Sequence, residues 1–249
     1  INTLSLSQLP VAGINSNYKF NGNANDEENN NPGTLRGTPL QTTDRFNIAG
    51  SAYNFNGSYQ YVSTSNAYNN PNNFTISVWF KTTTTSGGKL IGFGSSITGL
   101  STRYDRHIYM NNTGQIYFGV YPSTVVTVNS ALSYNDDKWH LATATLSSAG
   151  MILYVDGAQV GSNSATTSGE NYSCYWRIGF DNCNGWTSQP SSFYFNGKID
   201  DVLIYNRALT AAEINTLYNT PDGAGNNGPV CSGSLLTLSA KTIPGATYS

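Results

Sequence analysis

Apolar and polar residues alternate along most of the chain with the two-residue period of a β-strand. The alternation comes in short runs rich in Val, Ile, Phe and Tyr, separated by clusters of Gly, Asn, Asp and Ser. Such runs at short spacing mark an all-β sandwich or barrel. Strands are predicted at residues 18–21, 59–63, 75–81, 89–93, 107–110, 116–121, 125–129, 140–146, 152–155, 175–180 and 199–205. Asp156-Gly157 stands between the runs MILYV and AQVG. That is a type I′ hairpin signal, because both central residues of the turn need a positive φ. Asn112-Thr113-Gly114 and Asn196-Gly197 read the same way.

One helix is signalled, over residues 211–218. Thr210 and Glu213 have the spacing of a capping box, and Leu209 and Ile214 that of a hydrophobic staple. The helix would lay Ile214, Leu217 and Tyr218 on a sheet as a structural peg. Beyond Pro221 the composition shifts to a Gly/Asn linker at residues 222–228. A new apolar alternation then starts and stops before a second core could form. Residues 1–9 are therefore expected as an extension, 10–221 as one domain, and 229–249 as the truncated start of another. The chain opens on Ile1 with no signal peptide, which is expected of a processed or cut product of a longer protein.

Composition narrows the function classes. The 249 residues carry 12 Lys+Arg against 14 Asp+Glu, a formal charge of −2. A nucleic-acid binder needs a basic face to neutralise phosphates, so no nucleic-acid partner is expected. No stretch approaches the ~18 apolar residues of a membrane helix, so no membrane insertion is expected. Aromatic residues make up 12%, too many for a disordered chain. The many Asn, Ser, Thr, Gly and Tyr suit a secreted or cell-surface β protein. Three Cys are too few for a disulfide framework.

Four stretches resemble the laminin-G-like jelly roll, a branch of the concanavalin A-like lectin/glucanase superfamily common in secreted bacterial proteins. They are NYKFNGNANDEENNNPGT at 17–34, FTISVWFKT at 74–82, KWHLATATLSSAGMILYVDGAQVG at 138–161, and YWRIGF with FNGKIDDVLIYNRALTAAEI within 175–214. The last is the most specific, being close to the family's closing pattern. The resemblance implies an all-β fold: two antiparallel sheets face to face, the inner one concave, with one short C-terminal helix. The tail PVCSGSLLTLSAKTIPGATYS resembles the start of an Ig-like module.

The resemblance also implies a structural Ca²⁺ between the first loop and the last strand. It maps onto Asp26 and Asp200, with Asn30 and Asp201 beside them as further oxygen donors. Six to eight hard oxygens at ~2.3–2.6 Å are needed. Within strand 199–205 both faces are apolar, so an inward aspartate needs a cation or several donors. The alternative is that Asp200 bonds a backbone amide or Arg207 and that Asp26 caps a turn. Zinc is not expected, since the only His residues are His107 and His140 and the Cys lack ligand spacing.

Three activities are weighed. Glycoside hydrolysis needs two carboxyl groups about the scissile bond, but the Glu-x-Asp-x-Glu motif of the superfamily's glucanases is absent. A polysaccharide lyase would need a cationic donor and a Tyr or His. Arg103, Arg106, His107, Tyr109, Tyr117 and Tyr121 lie on adjacent predicted strands, though the arginine-rich strand motif of such enzymes is missing. Half-buried strand residues are the plain alternative.

Sugar binding would join an aromatic platform to polar fingers. Trp186 in the polar loop 181–186 has that chemistry, with Asp181 and Asn184 beside it and Arg103 and Tyr104 as a second loop. Equally, Trp186 could fold back over the sheet edge. Trp79, Trp139 and Trp176 are expected in the core. Cys174 and Cys183 flank strand 175–180. Free or separately paired thiols are expected there, and a bridge is the alternative if Gly179 ends the strand early. Cys231 belongs to the truncated module.

The chain is thus expected to be a non-catalytic carbohydrate-binding or adhesion module of a larger secreted or surface protein. Its partners would be a glycan or polysaccharide and the neighbouring domains of the parent chain. A protein-binding or spacer module and a lyase are the alternatives.

Overall fold

The computed structural model describes residues 9–220, together with the backbone of Gly225–Asn226, which pairs antiparallel with Leu238–Ser239. Residues 1–8 of the extension expected at 1–9 and, apart from Leu238–Ser239, the Ig-like opening with Cys231 lie outside the described residues.

The early strands are short: β1 (Ile14–Tyr18), β2 (Gly33–Arg36), β3 (Leu40–Thr42), β4 (Ala52–Asn56), β5 (Tyr61–Thr64) and β6 (Tyr68–Asn69). Then follow β7 (Phe74–Lys81), β8 (Gly88–Gly94), β9 (Tyr104–Met110), β10 (Gln115–Val120) and β11 (Val126–Ser133). The last are β12 (Trp139–Ser147), β13 (Gly150–Val155), β14 (Ala158–Asn163), β15 (Ser173–Ile178) and β16 (Asn196–Tyr205), before helix α1 (Ala211–Asn219).

They form two antiparallel sheets. The first runs β14-β13-β12-β7-β16-β4-β3, with β1 on the free stretch of β16, and the second runs β11-β10-β9-β8-β15-β5-β2, with β6 on β15. The all-β sandwich with one helix is therefore as the sequence predicts.

Strand alternation builds three apolar layers. Between the sheets lie Phe74, Ile76, Val78 and Phe80 of β7 against Ile108, Phe118 and Trp176 of the second sheet. The alternate residues Trp79, Leu141, Tyr154, Leu203 and Tyr205 face outward from the first sheet and are covered by Leu209, Ile214 and Leu217 around α1. On the outside of the second sheet Tyr109 and Tyr117 are covered by Cys183 and Trp186.

The local signals are observed in detail. Asp156 and Gly157 have φ of 52° and 79° and join β13 to β14. Gly114 closes the β9–β10 turn at φ 87°. The Thr210 hydroxyl accepts from the Glu213 amide, and the Glu213 carboxylate accepts from the Thr210 amide at 2.8 Å. Glu213 also takes a two-point grip from Arg207, at 2.9 and 2.6 Å.

Three expectations are corrected. Asn196-Gly197 is not a hairpin but the start of β16, paired with Asn56 and Phe55. Its glycine allows a close approach, since a Cβ there would meet the Lys81 carbonyl at 2.6 Å. The strand expected at 18–21 instead ends at Tyr18, because Phe20 turns to φ 52°. Strands β2 and β3 are not predicted because each is short and carries a single large apolar residue, while β4, also not predicted, alternates buried Tyr53 and Phe55 with exposed Asn54 and Asn56.

The Arg207 grip, ahead of the amides and hydroxyl of Thr210, holds the Glu213 carboxyl down at about 2, below its ordinary 4.5. A carboxyl depressed on folding stabilises the protein fully above pH 4.5 and loses that contribution as pH falls toward 2. Thr210→Ala is expected to cost about 1 kcal/mol, lowering the Tm by roughly 2–4 °C. In Glu213→Gln, thermal melts should show a smaller loss of stability between pH 4.5 and 2 than the parent chain shows.

Candidate functional site

The side chains singled out for sugar binding do gather. Tyr104 donates to the Asn184 carbonyl at 2.9 Å. Asp181 accepts from the Ser101 amide at 2.9 Å and hydroxyl at 2.7 Å, so it ties loop 95–103 to loop 181–189. The cluster is mostly closed, however. Asp181 is fully buried, and Trp186 is only 5% exposed. Arg103 is spent on Glu170 at 2.8 Å and on the Asn171 carbonyl. Of the five, only Asn184 and Arg103 present much surface.

Trp186 folds back over the second sheet. Its ring fills the space a side chain at Gly119 would need, since a Cβ there would stand 2.4 Å from it, and it lies 4.0 Å from the His107 ring. His107 is 0% exposed, and neither ring nitrogen has a hydrogen-bond partner among the described residues. Burial, aided by Lys89, pushes its pKa well down, so the imidazole is neutral. Tyr109 and Tyr117 stack on each other and spend their hydroxyls on Thr187 and Ser188.

Arg106, at φ 45°, turns into a separate buried knot with Asp105, Asn70, Asn72 and the Glu170 carbonyl. Of the six residues weighed for elimination chemistry, Arg106, His107, Tyr109 and Tyr117 are therefore buried, and Arg103 and Tyr121 are exposed. Cys174 and Cys183 are free and buried. Although β15 ends before Gly179, the two thiols lie on opposite sides of the second sheet, Cys174 in the central layer and Cys183 under Trp186. Burial pushes both up to about 12, so both stay protonated.

The four residues named for calcium fall into two clusters. Asp26 accepts from the amides of Asn17, Glu28, Asn30 and Asn31 at 2.8–3.1 Å, which uses both oxygens, while the Asn30 side chain donates to the Asn15 carbonyl. Asp200 and Asp201 instead share Arg45, at 3.2 and 2.6 Å. A register shift between Asp200 and Leu203 lets neighbouring aspartates meet one guanidinium, and Asp201 takes φ 38°. Burial first, and then Asp201, drives the Asp200 pKa up against the pull of Arg45. Donors already spent in this way do not fit one calcium ion. Among the described residues no group of three or more His, Cys, Asp or Glu is placed to hold a metal.

Among the described residues, the outer face of the first sheet is open beyond the reach of α1. Two clefts lie there on consecutive rows of side chains. One, of about 360 Å³, is lined by Arg45, Phe46, Trp79, Trp139, Tyr218 and Asn219. Tyr218 stacks on Trp79 with centroids 5.7 Å apart, and Arg45 lies over Trp79 and Phe46 at 4.5 Å each. Trp79 and Trp139 thus belong to this face and not to the central core, where only Trp176 sits.

The other cleft, of about 400 Å³, is lined by Asn54, Lys81, Thr83, Thr85, Asn196 and Lys198 among other polar groups. Its threonine loop is stapled from behind. Thr82 donates to the Asn196 carbonyl, the Thr84 amide donates to the Thr82 hydroxyl, and Asn135 donates to the Thr84 carbonyl. Thr83 and Thr85 stay exposed. The rows adjoin because Trp139 pairs with Lys81, two residues along β7 from Trp79. The sequence signals this site only as a run of four threonines, since the pairing that assembles it is not local.

Comparison with known proteins fits this architecture. Residues 56–215 match the laminin-G family described as the concanavalin A-like lectin/glucanases superfamily. The chain belongs to that family. No curated protein matches it. Among solved structures it is similar to domain 4 of AbnA, a GH43 extracellular arabinanase from Geobacillus stearothermophilus, in complex with arabinotriose. The TM-score is 0.58 at 18% identity, covering 83% of this chain and 98% of that one. It is also similar to the binding domain of botulinum neurotoxin DC in complex with SialylT, with TM-score 0.60 and 17% identity, covering 87% of this chain and 52% of that one. The heptameric SAP-like pentraxin of Limulus polyphemus gives 0.51 at 15%, covering 75% and 90%. The chain spans about half of the neurotoxin domain. At these identities the likeness shows the fold. Within the family fold, the loop 181–195 closes one sheet face of this chain and the two clefts open on the other.

Removing the indole tests the closed face. In a Cys231→Ser background, Cys174 and Cys183 are expected to resist a thiol reagent. Trp186→Ala should cost about 3–5 kcal/mol and make Cys183 react while Cys174 stays protected.

Proposed function

We propose that this chain is a non-catalytic carbohydrate-binding module that engages its glycan on the outer face of the first sheet. The observation that carries this reading is the pair of adjoining clefts, one aromatic and one lined by hydroxyls and amides. Pyranose rings have an apolar face that packs on indole or phenol and hydroxyls that exchange hydrogen bonds, so they need both surfaces side by side. The surfaces are held before any ligand arrives, because Lys81, Trp79 and Lys198 are mounted on paired strands and the threonine loop is stapled. Prepaid order lowers the entropic cost of binding.

Catalysis fits less well. Arg106, His107, Tyr109 and Tyr117 on the second sheet are sealed from solvent, and Glu213 and Glu170 are held by arginines. Similarity to domain 4 of an extracellular arabinanase in complex with arabinotriose, and to a toxin binding domain, supports a module that works outside the cell as part of a larger protein. No helix among the described residues is long and apolar enough to cross a membrane.

A broad glycan and polysaccharide array tests the proposal. Reproducible saccharide binding is expected, falling at least tenfold with Trp139→Ala at unchanged Tm. A clean blank from folded protein would overturn it in favour of a protein-binding or spacer module.

A further inference from the structure

The polar cleft holds an unusual pair. Lys198 of β16 and Lys81 of β7 are direct cross-strand partners, and their side chains leave the same face of the sheet. Opposed residues in antiparallel strands have Cβ atoms about 4.5–5.5 Å apart, and like charges placed so repel. The chain has only 12 Lys and Arg in 249 residues, yet two of them meet here.

Among the described residues neither ammonium is well compensated. Lys81 reaches Asp137 at 3.5 Å, and that carboxylate is 65% exposed. Lys198 has the Thr43 hydroxyl at 3.4 Å. The contrast with Arg45 is informative, because Arg45 on the next row meets two aspartates. With Asp137 counted, the cleft carries a net charge of +1. Around the lysines stand Asn54, Asn196 and the exposed Thr83 and Thr85, which can donate to or accept from sugar hydroxyls. The Asn54–Lys198–Lys81–Trp139 row runs from the amide side of the cleft to the aromatic one.

We infer that the glycan is acidic: a saccharide bearing a carboxylate or sulfate whose anionic oxygens sit between Lys81 and Lys198, while a neighbouring ring extends toward Trp139. The anion relieves the lysine repulsion, and two ammonium donors on one acceptor group give charge-assisted hydrogen bonds, roughly twice as strong as neutral ones. This inference rests on the glycan-binding reading and names the ligand class for the same face.

The test is calorimetry on the full chain with three acidic oligosaccharides and their neutral counterparts. These are oligogalacturonate against its carboxyl-reduced form, a sulfated oligosaccharide against its desulfated form, and a sialylated one against its asialo form. At least one acidic member should bind about tenfold or more tightly than its counterpart, and the margin should shrink as salt rises. The double variant Lys81→Gln/Lys198→Gln, at unchanged Tm, should bring the two within about twofold. Asp137→Asn removes the competing negative charge and should tighten acidic binding a few-fold.

If acidic and neutral members bind alike, or if the preference survives the double variant, the inference fails while glycan binding stands. Inorganic sulfate or acetate binding as tightly as the acidic saccharide would also overturn it, as a free-anion site. If no saccharide of either kind binds, the glycan-binding reading fails with it.

Discussion

The closing of one sheet face by the chain's own loop decides where this molecule can act. Trp186 lies on the bare backbone of Gly119 and against His107, and the loop around it buries Tyr109 and Tyr117. Lys89, His107 and Arg177 are carried to full burial with them. Burying such groups costs several kcal/mol unless the charge is paired, spread or abolished. Each of these outcomes occurs. Arg177 finds carbonyls of loop 95–103 and the rings of Tyr61 and Phe180. His107 is kept neutral, and Lys89 faces the Tyr104 ring. A face filled in this way is a third core layer.

The opposite sheet is covered by a shorter element. The nine residues of α1 span about 14 Å at 1.5 Å each, whereas the eight residues of β7 run about 26 Å. The helix therefore shields Leu203, Tyr205 and Leu141 and stops at Trp79, where Tyr218 stacks. Past that point the strands continue with Lys81 and Lys198, and among the described residues the threonine loop flanks them at the side. The irregularity in β16 sits at this boundary. By turning Asp200 and Asp201 together onto Arg45, it lets a guanidinium bridge the loop after β3 to the last strand, and the same guanidinium becomes the wall of the aromatic cleft.

Local physics made much of this readable in advance. The β13–β14 hairpin, the α1 cap and the strands β7, β10, β12 and β15 all carry their signals within a few residues: a turn pair, a capping box, a run of β-branched and aromatic positions. What went unread depends on distance along the chain. Arg45 is separated from Asp200 by 155 residues, so the cation needed by a buried aspartate was sought nearby in Arg207, which serves Glu213 instead. The indole of Trp186 was legible as either a contact or a cover. The choice falls to a glycine on another strand, whose missing side chain makes the room. The clefts could not be seen at all, because the pairing of Lys81 with Lys198, and of Lys81 with Trp139, is a property of register.

That register also argues for the kind of chemistry such a site performs. A catalytic centre needs groups whose protons can be given and taken within reach of a substrate. In this protein His107, Asp105, Tyr109 and Asp200, whose pKa values burial moves, are enclosed in the layers. The accessible face holds ammonium, hydroxyl and amide groups in fixed rows beside a stacked Trp and Tyr. Rows mounted on paired strands present a fixed shape and charge pattern before any ligand arrives. On the proposed reading, the buried layers take up the groups whose pKa values burial moves, and the exposed rows are left for recognition.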